Sequence, residues 1–175
     1  MTAPGETSSK LLLFGATGDL ARRMLLPSLY ALHADGLVPD ELQIIGTARS
    51  EMSDEEFRQM ARDALEEHLP EDRKDPKALE SFPERLSYQA LDASTIEGFD
   101  ALAEKVGDTS GGLSIFLSTA PFLFEPTIKG LESAGLAGNN IRIGLEKPLG
   151  NDLASSREIN DAVAAVFPEE RIFRI

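Results

Sequence analysis

The feature that most limits what this chain can fold into is a short apolar run, Leu11-Leu12-Leu13-Phe14, that ends abruptly in Gly15-Ala16-Thr17-Gly18-Asp19-Leu20-Ala21. A continuous apolar run bounded by glycine suits a parallel strand buried on both faces. The small residues at 15, 18 and 21 then fit a turn into a helix. Gly15 permits the tight turn, Gly18 removes a side chain that would block phosphates, and Ala21 lets helix and strand pack closely. Unpaired N–H groups at the helix start, at the positive end of its dipole, suit the pyrophosphate of a dinucleotide. The spacing departs from the usual G-x-G-x-x-G, and a ligand-free strand-to-helix turn has similar glycines. The strand, turn and helix in succession favour the coenzyme. Asp19 reads as a helix-start electrostatic and hydrogen-bonding residue rather than a proton-transfer group.

The rest of the chain repeats the alternation. Leu20, Met24, Leu25, Leu29 and Leu32 recur at helical spacing up to a stop at Gly36. Pro27 falls inside this helix, where it removes a donor at a cost of about 3 kcal/mol in an ordinary interior and bends the axis. A second strand is expected over 42–48, then a helix started by Ser53, Glu55 and Glu56 with Phe57, Met60, Ala61, Ala64 and Leu65 as its buried stripe. The charged, proline-bearing stretch 70–83 reads as a surface loop or short helical excursion. Leu86, Tyr88 and Ala90 alternate toward a third strand, and 96–106 fits a helix. Strands at 113–117 and 141–145, a helix at 124–131, a helix capped by Asn151 or Asp152, and a sixth strand at 171–175 complete the pattern. The order predicts an α/β fold: a Rossmann-type doubly wound parallel sheet, one domain over residues 10–175 behind a flexible tail over 1–9, with its crevice at the carboxyl ends of the strands.

Composition excludes several functions. Thirty acidic against seventeen basic residues give a net charge of −13, which repels a nucleic-acid backbone. Cysteine is absent, so there is no disulfide framework, thiolate nucleophile or cysteine-bearing metal site, and no metal is expected. No stretch reaches the roughly 20 apolar residues of a membrane span, and the start of the chain lacks a signal-peptide pattern. A cytoplasmic protein without membrane partners is the expectation.

The end of the second strand selects the coenzyme. An acidic residue there would hold a ribose 2′-hydroxyl, whereas this chain has Thr47-Ala48-Arg49-Ser50. Arg49 can pair with a 2′-phosphate and Ser50 offers a hydroxyl beside it, favouring NADP. A solvated arginine is the plainer alternative, and Glu51 leaves NAD as a weaker coenzyme. Ser118 and Thr119 close the fourth strand, where they reach the nicotinamide side or simply form a turn. Glu146-Lys147-Pro148-Leu149-Gly150 follows the fifth strand, so Lys147 can donate to a sugar hydroxyl or a phosphate, with Pro148 restricting its backbone. An exposed charged turn explains that segment equally well from spacing alone. His33 and His68 fall near helix ends, where histidines cap carbonyls. Tyr30 and Tyr88, the two tyrosines, lack a lysine four residues later, which disfavours a short-chain dehydrogenase.

Taken together, the turn at 15–21, Gly46-Thr47-Ala48-Arg49-Ser50, the Glu146 to Gly150 segment and the final Arg171-Ile172-Phe173-Arg174-Ile175 closely resemble the glucose-6-phosphate dehydrogenase family, in order and spacing, from residue 10 onward. The resemblance implies NADP-linked oxidation of glucose 6-phosphate at C1 to 6-phosphogluconolactone, at the entry to the pentose phosphate pathway. It assigns Gly15, Ala16, Thr17, Gly18, Asp19 and Leu20 to the pyrophosphate, Arg49 to the 2′-phosphate, and Lys147, positioned by Pro148, to coenzyme and sugar. Where the family commonly has a tyrosine near the coenzyme, this chain has Phe124. The family continues past the equivalent of Ile175 into a segment carrying the catalytic histidine, then a large C-terminal α+β domain that completes the sugar site and the oligomer interface. The chain is therefore read as a coenzyme domain truncated before that domain, with no catalytic residue of its own. It is expected to bind NADP without dehydrogenase activity. A non-catalytic NADP-sensing or regulatory module is the alternative.

Overall fold

Six short apolar segments become six strands, all parallel. In the computed structural model, which describes residues 7–175, β1 (Lys10–Phe14), β2 (Gln43–Ala48), β3 (Leu86–Ala90), β4 (Leu113–Leu117), β5 (Ile141–Leu145) and β6 (Ile172–Arg174) form one sheet in the order β3-β2-β1-β4-β5-β6. This is the doubly wound order, and the chain reverses its direction of travel across the sheet between β1 and β4. Alternate strand residues face opposite layers. Leu12 and Phe14 join the core under α4 (Phe99–Val106), α5 (Phe124–Ser133) and α6 (Leu153–Ala164). Leu13 joins the core under α1 (Leu26–Ala34), α2 (Asp54–His68) and α3 (Pro76–Ser81).

The helix starts follow their sequences. Ser53 caps α2 by accepting from the Glu56 N–H at 3.2 Å, while the Glu56 carboxylate accepts from the Ser53 N–H at 2.6 Å, a reciprocal pairing of two otherwise orphan donors. Asp152 rather than Asn151 caps α6, accepting from the Ser155 N–H at 2.8 Å. Among the described residues no helix is long and apolar enough to cross a membrane.

The structure corrects several local expectations. Ala21–Leu25 forms a π-helical turn ahead of α1, with the Leu26 N–H reaching back to the Ala21 carbonyl. The extra residue in that turn shifts the phase of the buried face, so Ala21, Leu26 and Tyr30 are buried while Met24 and Leu32 are exposed. Pro27 lies within the helical run that begins at Asp19, immediately after this π turn, so its missing N–H falls where the helix already departs from regular α bonding. The helix expected from 96 begins at Phe99, because Gly98 before it has a left-handed φ of +85° and leaves Ile96 in solvent. Residues 70–83 do coil into short helical pieces, but Ala78, Phe82 and Pro83 are buried in the core rather than left at the surface. Of the expected tail, residues 1–6 lie outside the described residues. Ser9 is already bonded to the sheet ends, donating to Gly111 at 3.0 Å and accepting from Gln43 at 2.9 Å.

His33 caps no carbonyl. Its Nδ1 accepts from Arg85 Nε at 2.9 Å and its Nε2 lies 2.8 Å from Ser81 Oγ, which donates onward to the Lys77 carbonyl at 3.0 Å. This arrangement fits the neutral ring with its proton on Nε2. Burial, and after it the Arg85 guanidinium, lower the His33 pKa from 6.5, with Asp40 opposing. The unfolded chain then binds a proton that the folded chain resists, so this contribution to stability is complete above about pH 6.5 and declines as pH falls toward the lowered folded value. Melting of the parent and His33→Gln, which can keep both hydrogen bonds without titrating, checks this. The parent should lose thermal stability between about pH 7 and about pH 5.5 more steeply than the variant, and identical slopes would refute the assignment.

Candidate functional site

The loops that leave the carboxyl ends of β1, β2, β3 and β4 converge on a cleft of about 180 Å³, where a doubly wound sheet has its binding crevice. Gly15, Thr17 and Gly18 line it from the first loop, Arg49 from the second, Leu91, Asp92 and Ala93 from the third, and Thr119 and Leu123 from the fourth.

The first loop is built by backbone hydrogen bonds. The N–H groups of Gly15 and Ala16 both donate to the Thr47 carbonyl, at 3.0 and 3.2 Å, and Gly18 N–H donates to the Gly15 carbonyl at 3.0 Å. Gly15 has φ +75°, and a Cβ there would lie 2.8 Å from the Ser118 carbonyl oxygen, so only glycine fits. Gly15 and Ala16 therefore shape the turn, and Ala16 is wholly buried. The helical segment that starts at Asp19 accepts its first loop-to-helix bond at Gly18, from Arg22 N–H at 3.1 Å. The N–H groups of Thr17, Asp19 and Leu20 have no backbone acceptor among the described residues. These are the first-turn donors that an anion would take up. The Asp19 side chain pairs with Arg23 at 3.7 Å, both groups well exposed, an interaction worth little in water.

Arg49 is exposed at the end of β2, with no side-chain hydrogen bond or close ion pair among the described residues. Its charge, after the Ser94 hydroxyl and N–H, contributes to holding the Asp92 carboxyl below its usual range. Ser50 is exposed next to it and gives its carbonyl to the Tyr88 hydroxyl. Leu91, Ala93 and Leu123 provide apolar wall of the kind that receives a planar base.

Ser118 and Thr119 separate in role. Ser118 directs its hydroxyl into the protein, donating to the Phe14 carbonyl at 2.6 Å and tying β4 to β1. Thr119 lines the cleft, and its Oγ1 is buried without a hydrogen-bond partner among the described residues. A buried polar atom of this kind is rare and calls for a partner. Phe124 is fully buried in the core beneath α5 and takes no part in the cleft lining.

Lys147 and Pro148 are exposed after β5, joined by a cis peptide bond, with Lys147 N–H donating to the Ile175 carbonyl at 3.1 Å. Neither residue lines the cleft. They stand two strands along the sheet from β1, roughly 10 Å away by strand spacing, on the same carboxyl edge. The Lys147 ammonium has no ion pair among the described residues.

Leu91, Asp92, Ala93 and Leu123 went unread in the sequence. For Leu91, Asp92 and Ala93 the signal was a position just past β3, the same signal that marked Arg49, whereas Leu123 lies in the helical turn Pro121–Leu123 beyond β4 and carried no such signal. Among the described residues no three histidine, aspartate or glutamate side chains gather as metal ligands.

Comparison with known proteins agrees with this geometry. The family model for the NAD binding domain of glucose-6-phosphate dehydrogenase matches residues 12–175. The glucose-6-phosphate 1-dehydrogenase of Zymomonas mobilis is 50% identical over 170 residues, covering 97% of this chain and 35% of that protein. That of Rhizobium meliloti is 40% identical over 164 residues, covering 93% of this chain and 33% of the relative. Among solved structures, glucose-6-phosphate 1-dehydrogenase from Mycobacterium avium superposes with a TM-score of 0.85 at 33% identity, covering 97% of this chain and 36% of that one. A glucose-6-phosphate dehydrogenase in complex with its substrate glucose-6-phosphate gives 0.86 at 28% identity, over all of this chain and 37% of the other. The chain thus spans about a third of the length of these relatives.

Proposed function

Because the chain belongs to the glucose-6-phosphate dehydrogenase family, through its NAD binding domain, we propose that it binds NADP in the cleft at the ends of β1 to β4 and, in a longer polypeptide, serves the oxidation of glucose 6-phosphate. The observation that carries the NADP reading is Arg49, an exposed guanidinium at the end of β2 beside a turn whose first helical N–H groups lack backbone acceptors among the described residues. The residues fit the coenzyme. Thr17, Gly18, Asp19 and Leu20 would hold the pyrophosphate over the helix start, within the frame that Gly15 and Ala16 build. Arg49, with Ser50 beside it, would hold the 2′-phosphate as a charge-assisted pair. Thr119 would give its orphan hydroxyl a partner on the nicotinamide side.

When bound, the nicotinamide supplies the acceptor for the hydride from C1. Lys147, with Pro148 beside it, would hold a sugar hydroxyl or phosphate oxygen at the same edge of the sheet. Removing the C1 hydroxyl proton needs a base within hydrogen-bond reach. Neither histidine serves: His33 is engaged with Ser81 and Arg85, and His68 lies at the end of α2, outside the cleft lining. We therefore propose that the 175-residue chain is a coenzyme-binding unit without turnover, and that base, sugar site and homo-oligomer contacts come from the longer polypeptide. Both ligands are water-soluble metabolites, and the proposed setting is the cytoplasm.

Calorimetric titration of the chain with NADP and NAD tests binding, and absorbance at the NADPH band with glucose 6-phosphate tests turnover. Tighter binding of NADP than of NAD, with no NADPH formed, is the expected pair of results. Failure to bind either nucleotide would refute the coenzyme reading, and sustained NADPH formation would refute the missing base.

A further inference from the structure

Arg49 is an exposed residue on a turn, yet its selectivity requires that the turn hold its shape. The contacts that hold it come from the neighbouring strand. Tyr88 of β3 is 4% exposed, its ring packed against Phe57 at 5.2 Å between centroids and its N–H bonded to Asp54 at 2.7 Å. From that fixed base the phenol reaches over the end of β2. Its oxygen lies 3.0 Å from the Ala48 carbonyl and 2.7 Å from the Ser50 carbonyl. The single hydroxyl proton is shared between the two carbonyls that flank Arg49. The Ala48 carbonyl also accepts the Leu91 N–H at 2.9 Å, so the same turn is tied to the third loop of the cleft.

We infer that Tyr88 is a positioning residue for coenzyme selectivity: its hydroxyl holds the carbonyls of residues 48 and 50, one on either side of Arg49 in the chain, and so fixes where the guanidinium meets a 2′-phosphate. This rests on the coenzyme reading above. The ring alone would satisfy the packing against Phe57, and a phenylalanine would fill the same volume. What the hydroxyl adds is directed at residues 48 and 50, and the residue between them is the one that separates NADP from NAD. Burial, with Glu51 nearby and against the Ala48 hydrogen bond, pushes the Tyr88 pKa above 10.0, so the phenol keeps its proton throughout the neutral range.

The test is Tyr88→Phe in the 175-residue chain, titrated with NADP and NAD and with adenosine 2′,5′-bisphosphate and ADP, alongside a urea midpoint to establish folding. NADP and the bisphosphate should each bind about fivefold more weakly, the effect of one hydrogen-bonding clamp, while NAD and ADP change by less than about twofold. In an Arg49→Ala background the same substitution should have no further effect on NADP, because the group it positions is gone. Equal weakening of all four ligands would reduce Tyr88 to packing and overturn the inference, as would an unchanged NADP to NAD ratio. A parent chain that binds neither nucleotide would sink the coenzyme reading itself, a failure distinct from that of Tyr88.

Discussion

Gly15→Val is expected to destabilise the chain by about 3 kcal/mol and to remove coenzyme binding. Two independent penalties act at this position. The residue has φ +75°, which a β-branched side chain adopts only with strain of order 1–3 kcal/mol. Its Cβ would also lie 2.8 Å from the Ser118 carbonyl oxygen and 3.0 Å from Ser118 Oγ. Ser118 has little freedom to retreat, since its N–H and hydroxyl both donate to the Phe14 carbonyl, at 3.3 and 2.6 Å. Relief must therefore come from moving the turn itself, which breaks the paired donation of Gly15 and Ala16 N–H to Thr47 and re-aims the first-turn donors. Urea unfolding followed at two wavelengths measures the first effect, and calorimetry with NADP measures the second. Gly15→Ala, which keeps the backbone strain and the clash but adds less bulk, should lie between parent and Gly15→Val in stability. A Gly15→Val midpoint equal to the parent's would show that neither penalty is real.

The legible part of the fold was the part with the simplest physics. A strand buried on both faces is a short apolar run whatever surrounds it, and all six strands match their expected segments to within a residue at either end. The sixth is shorter than the run that marks it. Helix α2 was equally plain, because its cap, its acidic first turn and its buried stripe all point the same way. The first helix was misread in its face because a 3.6-residue period was applied through a stretch where the chain inserts a π turn, and nothing local in residues 21–25 announces that turn.

The candidate site divides in the same manner. Its phosphate turn and Arg49 were visible because each follows a strand immediately, where topology alone delivers a residue to the crevice. The apolar wall at Leu91 and Ala93 follows a strand too and was open to the same logic. Contacts between distant residues were beyond reach. Tyr88 read only as an inward member of an alternating strand, while its hydroxyl acts on carbonyls 40 and 38 residues away. Ser118 and Thr119 are adjacent and chemically alike, and only the approach of β1 to β4 turns one hydroxyl into the protein and leaves the other in the cleft.

Arg49→Ala should weaken NADP binding about 100-fold and leave NAD within about twofold, erasing the preference rather than the site. The size follows from the bond involved. A hydrogen bond to a charged group contributes about 1.5–3 kcal/mol, and the guanidinium can present two donors to one phosphate. Exposure of Arg49 keeps the effect toward the lower part of what a buried pair would give. Two further results separate this mechanism from a general loss of positive charge on an acidic protein. Arg49→Lys retains the charge and loses the planar fork, so it should fall between parent and alanine variant for NADP. Raising salt from about 0.05 M to about 0.5 M should narrow the NADP to NAD ratio of the parent, because a solvent-facing pair is screened, while in Arg49→Ala the ratio should hold or rise. The net charge of −13 makes the control informative: long-range repulsion weighs more on NADP, which carries the additional phosphate, so screening that repulsion favours NADP, and only loss of the local pairing at the end of β2 can narrow the ratio. An Arg49→Ala chain that still prefers NADP by the parental factor would move the 2′-phosphate contact elsewhere and remove the main support for NADP as the coenzyme.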